Sequence, residues 1–192
     1  ANLDTPRIDG STPAFIAAQN GNLEVVRLLA ELGANVNTPN NNSTTPAWIA
    51  AQNGHLEVRR LLAELGADCS TPRTDGLTPV CVAAYSGHAE VVRLLAELGA
   101  DVHTPDNDGC TPAWAAAQKG HVEVVRVLAE LGANVETPNN GGFTPAFIAA
   151  QKGHAEVVRV LAEHGANVET PRNDGSTPVY IATIQGDAEV VR

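Results

Sequence analysis

The dipeptide Thr-Pro returns every 33 residues, at Thr12-Pro13, Thr45-Pro46, Thr78-Pro79, Thr111-Pro112, Thr144-Pro145 and Thr177-Pro178. A second Thr-Pro series starts at Thr5-Pro6 and keeps the same period through Thr38, Thr71, Thr104, Thr137 and Thr170, so the two series use all 12 prolines. Glycines hold the register as well: one set runs from Gly21 to Gly186, another from Gly33 to Gly165, and Gly10, Gly76, Gly109, Gly142 and Gly175 precede a Thr-Pro. Of 17 glycines only Gly141 falls outside these sets. Self-similarity at this period marks repeated supersecondary units, each too small to bury its own apolar face and stable only when stacked on neighbours.

Each unit reads as two short helices and a loop. Thr12 is a good N-cap and Pro13 fits the first helical position, where its missing N–H costs nothing. A short helix over Pro13 to Asn20 is then broken by Gly21. Leu23, Val26, Leu28, Leu29 and Leu32 recur at helical spacing, which predicts a second, amphipathic helix over about Asn22 to Leu32, capped by Gly33. The loop into the next unit bends at Asp9-Gly10, Asp75-Gly76, Asp108-Gly109 and Asp174-Gly175. Ser43 replaces that glycine in the second unit and is strained there. Hydrophobic residues make up 43% of the chain but aromatics only 4%, so the apolar mass is Ala, Val, Leu and Ile, suited to thin helical layers. The expected fold is all-α: a solenoid of stacked helix-turn-helix units with β-hairpin-like loops.

The third unit contains Asp75-Gly76, Thr78-Pro79, Ala83-Ala84, Gly87-His88, Glu90-Val91-Val92-Arg93-Leu94-Leu95 and Gly99-Ala100-Asp101-Val102. This pattern, which covers the whole chain, closely resembles the ankyrin repeat. The resemblance implies a curved array that binds partner proteins through its hairpin tips and first-helix face. One departure is systematic. Where the family usually reads Thr-Pro-Leu-His, and its His helps tie neighbouring repeats, this chain has Phe15, Trp48, Cys81, Trp114, Phe147 and Tyr180. These read as a packed inter-repeat ladder in preference to a ligand-stacking surface, in place of polar stitching. Ala115 follows Trp114 where most units have Ile, consistent with volume compensation. Ala1 to Pro6 align with Ala34 to Pro39, and Arg192 aligns with Arg159 inside a second helix. Residues 1–192 are therefore expected to be a single repeat domain of five full repeats and a truncated sixth, cut from a longer array. Uncapped terminal faces would give a monomer with weak end-to-end association.

The candidate chemistry is sparse. A net charge of -10 repels a phosphate backbone and argues against nucleic acid. No run of about 18 apolar residues exists to span a membrane, and no signal-peptide pattern is visible. Cys69, Cys81 and Cys110 are odd in number and unpaired in spacing, as expected of free thiols in a reducing, cytoplasmic setting. Cys69 and Cys81 stand at core positions, whereas Cys110 lies on the loop side and is expected to be exposed. His55, His88, His121 and His154 occur once per repeat, roughly 10 Å apart in stacked helices, whereas zinc needs its ligand atoms at about 2.0–2.3 Å. They read as polar turn residues, as do Asn22 and Asp187 at the same position. Glu24, Arg27 and Glu31 with their equivalents predict a salt-bridged outer face with i,i+3 and i,i+4 pairs. Arg59 stands where other units have Val and is expected to snorkel or mark a local irregularity. No nucleophile–base pair, phosphate loop or cofactor site emerges, so no enzyme activity is expected.

What varies between units are the hairpin residues, from Ile8, Asp9 and Ser11 in the first to Asn173, Asp174 and Ser176 in the last, and the first-helix ends from Gln19-Asn20 to Ile184-Gln185. By the resemblance both sets line the concave face. An apolar centre with a polar surround falls in the third to fifth units, as interface hot spots favour. The expected partner-binding residues are Leu77, Tyr85, Ser86, Asp108, Cys110, Lys119, Phe143 and Lys152. Unselected loop drift would produce the same variation. The expected function is a scaffold for a partner protein. The alternatives are a consensus-like or engineered scaffold or spacer without a natural partner, and a targeting segment of a larger enzyme.

Overall fold

A computed structural model describes residues 2–68, 70–172, 174–186 and 188–191. The expectations placed on Cys69, Asn173, Asp187 and Arg192 lie outside the described residues. First helices α1 (Pro13–Gln19), α3 (Pro46–Gln52), α5 (Pro79–Ser86), α7 (Pro112–Lys119), α9 (Pro145–Gln151) and α11 (Pro178–Gln185) alternate with second helices. These are α2 (Leu23–Glu31), α4 (Leu56–Glu64), α6 (Ala89–Glu97), α8 (Val122–Glu130), α10 (Ala155–Glu163) and α12 (Ala188–Val191). Each helix packs on its own partner and on the corresponding helix of the next repeat, which makes two parallel layers.

Local chemistry starts each first helix. The hydroxyl of Thr45, for example, accepts from Trp48 N–H at 3.1 Å, with Pro46 at the first helical position. Alanine pairs such as Ala50-Ala51, Ala83-Ala84 and Ala116-Ala117 are fully buried, and their small size lets the layers approach closely. The second helices bury one stripe, Val91, Val92, Leu94 and Leu95 in α6 and their equivalents in α8. Val25 and Leu28 of α2 stay open to solvent, while their equivalents Val58 and Leu61 have α2 beside them and are buried.

The aromatic ladder is buried from Phe15 to Phe147, with Tyr180 exposed. Its character differs from the expected apolar packing. Trp48 Nε1–H donates to Leu77 O and Trp114 Nε1–H to Phe143 O, both at 2.9 Å, and Cys81 Sγ lies 3.4 Å from Thr104 O. The ladder therefore keeps a polar stitch into the next repeat at Trp48, Cys81 and Trp114. The Gly-His histidines stitch in the other direction. Nε2 of His55, His88, His121 and His154 lies 3.0, 3.0, 3.0 and 3.3 Å from the carbonyls of Gln19, Gln52, Tyr85 and Gln118 one repeat earlier.

Three further expectations are corrected. Arg59 does not snorkel: it is 0% exposed, and its Nε and both terminal nitrogens lack hydrogen-bond partners among the described residues. Its backbone sits on the buried stripe of α4, in register with the buried Val26, Val92 and Val125, so the stem cannot carry the head to water. Cys110 is not exposed but 8% accessible, because the next hairpin covers it and Asn139 Nδ2–H points at its sulfur from 3.8 Å. On the outer face, i,i+3 pairs form at Glu123–Arg126 and Glu156–Arg159, and Arg93 reaches across repeats to Glu130 at 3.3 Å. No i,i+4 Arg-to-Glu pair forms among the described residues. Ser43, by contrast, sits at φ +59°, the one non-glycine left-handed residue described.

Candidate partner-binding groove

No β-strand is present among the described residues; each loop is a hairpin closed by two main-chain bonds. In the third repeat Arg73 N–H donates to Leu77 O at 3.0 Å and Gly76 N–H to Arg73 O at 2.9 Å. Neighbouring hairpins are joined at their tips. Asn107 N–H donates to Asp75 O at 3.2 Å and Asn140 N–H to Asp108 O at 2.9 Å, and the Asn140 amide adds a bond to Asn107 O at 3.1 Å. The tip asparagines are thus committed to the scaffold.

Two side-chain chemistries close the hairpins, one in the first, third and sixth and the other in the second, fourth and fifth. Where the first hairpin residue is Arg, an Asp stands two residues on and accepts from the returning main chain, as Asp75 Oδ1 does from Leu77 N–H at 3.2 Å. That Asp also pairs with the Arg, in Arg73–Asp75 and in Arg172–Asp174. The Arg73 guanidinium holds the Asp75 carboxyl below the ordinary carboxylate range. Where the first residue is Asn or Asp, its own side chain does the closing. Asp106 Oδ1 accepts from Asp108 N–H at 3.0 Å and Cys110 N–H at 2.8 Å, and Asn139 Oδ1 accepts from Gly141 and Phe143 N–H at 3.0 and 3.1 Å. The position two residues on is then released from structural duty, which is why Asp108 is exposed without an Arg partner.

Between these hairpins and the first helices lies a groove of about 610 Å³ that spans the second to fifth repeats. Of the expected residues, Leu77, Tyr85, Asp108 and Cys110 line it. Lys119 joins them indirectly, with its ammonium 4.3 Å from the Tyr85 ring centroid. Ser86 and Lys152 lie at first-helix ends and do not line the groove, Ser86 partly covered and Lys152 exposed. Phe143 is turned into the scaffold, edge-on to Phe147 at 5.3 Å and under the Arg172 guanidinium at 4.3 Å. Its neighbour Gly141 is explained by the same ring, since a Cβ there would come within 2.9 Å of Phe143.

Gln52 and Gln118, first-helix ends expected on the concave face, line the groove too, as do Trp48, Arg73, Asp106 and Asn139, which sequence reasoning did not single out for binding. A signal was there: the residue after each second-series Pro runs Arg7, Asn40, Arg73, Asp106, Asn139, Arg172, and an Asp stands two residues on whenever it is Arg. Burial pushes the thiols of both Cys81 and Cys110 up to about 11, so little of either is thiolate near neutrality. No cluster of metal-ligating side chains occurs among the described residues, and no helix in them is long and apolar enough to cross a membrane.

A family model described as ankyrin repeats (3 copies) matches residues 1–73, 65–139 and 135–192. No curated protein matches the chain.

Proposed function

The chain belongs to the ankyrin-repeat family, and we propose that it holds a partner protein in the groove between its hairpins and first helices. Ankyrin repeats are generally protein–protein interaction modules and typically non-catalytic. The observation that carries the finer reading is a single groove of about 610 Å³ running across four repeats. Leu77, Val82, Tyr85 and Trp114 supply apolar surface, and Asp106, Asp108, Gln52 and Gln118 supply a polar rim. Its walls are already tied to one another by main-chain and histidine bonds, so little ordering accompanies binding.

Dodecamer peptides selected from a displayed random library on the intact chain test this reading. Tyr85→Ala with Asp108→Ala should weaken the selected peptides at least tenfold, and Glu57→Ala with Glu90→Ala on the outer helices should not. Equal losses, or losses only in the outer-face variant, would place the contact surface elsewhere.

A further inference from the structure

The chain contains its own example of how this groove treats a cation. Arg73 lies over the Trp48 ring, Cζ to centroid 4.7 Å, while its Nε–H donates to Asp75 at 3.0 Å. Lys119 covers Tyr85 and Arg172 covers Phe143, each at 4.3 Å. Among the described residues no cation lies over Trp114.

Trp114 is the same ladder position as Trp48, two repeats on, and its indole makes the same hydrogen bond to the next repeat. The residues corresponding to Arg73 and Asp75 are Asn139 and Gly141, and the residue corresponding to Ile49 is Ala115. Three larger side chains have been replaced by smaller ones around one indole, and all three line the groove. Volume compensation for Trp114 does not account for Ala115, because Ile49 follows Trp48 with both side chains buried. The outcome is visible in the burial: Trp114 is 7% exposed where Trp48 is 2%. Asn139 does not fill the place, its Oδ1 being committed to Gly141 and Phe143 N–H. Charge completes the pattern, since Asp106 and Asp108 line the same groove and the chain carries a net charge of -10.

We infer that the groove takes an arginine side chain from a peptide segment of the partner, its guanidinium against Trp114 and its charge met by Asp106 and Asp108. It occupies there the role that Arg73 plays at Trp48. A planar guanidinium stacks on an aromatic ring and forks to carboxylates, which an ammonium does less well. Leu77, Val82 and Tyr85 provide for an apolar residue beside the arginine. This assignment rests on the groove being the partner-binding surface.

The probe is a set of fluorescein-labelled decapeptide pools with random flanks and one fixed central residue: arginine, lysine, norleucine or glutamate. Fluorescence anisotropy on the intact chain should rank arginine about tenfold tighter than norleucine, with lysine between and glutamate weakest. Asp106→Asn with Asp108→Asn should remove most of the arginine preference without unfolding, because Asn40 and Asn139 close their hairpins as Asp106 does. Asn139→Arg should erase it by supplying the chain's own guanidinium. If arginine and norleucine pools bind alike while Tyr85→Ala weakens both, the arginine site is wrong and the groove reading stands. An arginine preference that survives both sets of substitutions also overturns the site. If no pool binds, or binding ignores Tyr85→Ala, both readings fall.

Discussion

Nε2 of His88 lies 3.0 Å from the main-chain carbonyl oxygen of Gln52, joining the start of α6 to the end of α3 in the repeat before. A carbonyl only accepts, so the ring carries its proton on Nε2 and donates. Gly54 makes room for it: at φ +75°, a Cβ there would come 2.6 Å from His88 Nδ1.

His88→Ala should lower stability by about 1 kcal/mol, the net worth of one hydrogen bond. Gly54→Ala should cost more, since it adds a left-handed alanine to the collision. The double variant should be less destabilised than the two costs added, because removing the imidazole removes the collision. Urea titration of the four proteins measures the coupling, and strict additivity would contradict it.

Arg59→Val should stabilise the chain by about 1–4 kcal/mol, as replacement of buried charge by packed hydrocarbon does. The other second helices already show that valine fits this stripe, with Val92 and Val125 fully buried. A higher denaturant midpoint at unchanged m-value is the expected result. An unchanged midpoint would mean that the guanidinium is solvated in the folded chain.

Ser43→Gly should raise stability by about 0.5–1 kcal/mol. The residue sits at φ +59°, in the bend where Gly10 and Gly76 sit at φ +80°. Ser43→Ala should show no such gain, which separates relief of backbone strain from loss of the hydroxyl. Thermal melts of the two variants make the comparison.

Cys81 and Cys110 should resist alkylation by iodoacetamide at pH 8 in the folded chain and react once it is denatured. Burial raises both thiols from 9.0 to about 11, so the reactive thiolate is scarce until well above neutrality. Below pH 9.0 the folded and unfolded thiols are both protonated and stability is undiminished; it falls as pH rises from 9.0 to about 11. Peptide mapping reports the two sites separately, and rapid native labelling of either would contradict their burial.

Part of the groove lining was visible in the pattern of variation, because hairpin residues and first-helix ends are the positions free to differ between stacked units. Leu77, Tyr85, Asp108 and Cys110 line the groove together on that account. Phe143 varies in the same way yet faces Phe147 and Arg172, and nothing in a variable position states which way its side chain turns. Arg73 and Asp106 were legible only as a pair rule between a residue and the one two places on.

The period, the Thr-Pro helix starts and the glycine stops were determined by the sequence itself, since each cap or break is made by residues within about four positions of one another. Helix α1 accordingly runs Pro13–Gln19 where Pro13 to Asn20 was expected. What the tertiary structure alone decided is who faces whom across a repeat boundary. His88 with Gln52, Trp48 with Leu77, Arg73 over Trp48 and the stranded Arg59 all depend on how far each unit shifts and turns on the last. That displacement is the sum of many small packing choices among alanines, valines and leucines, and no single residue encodes it.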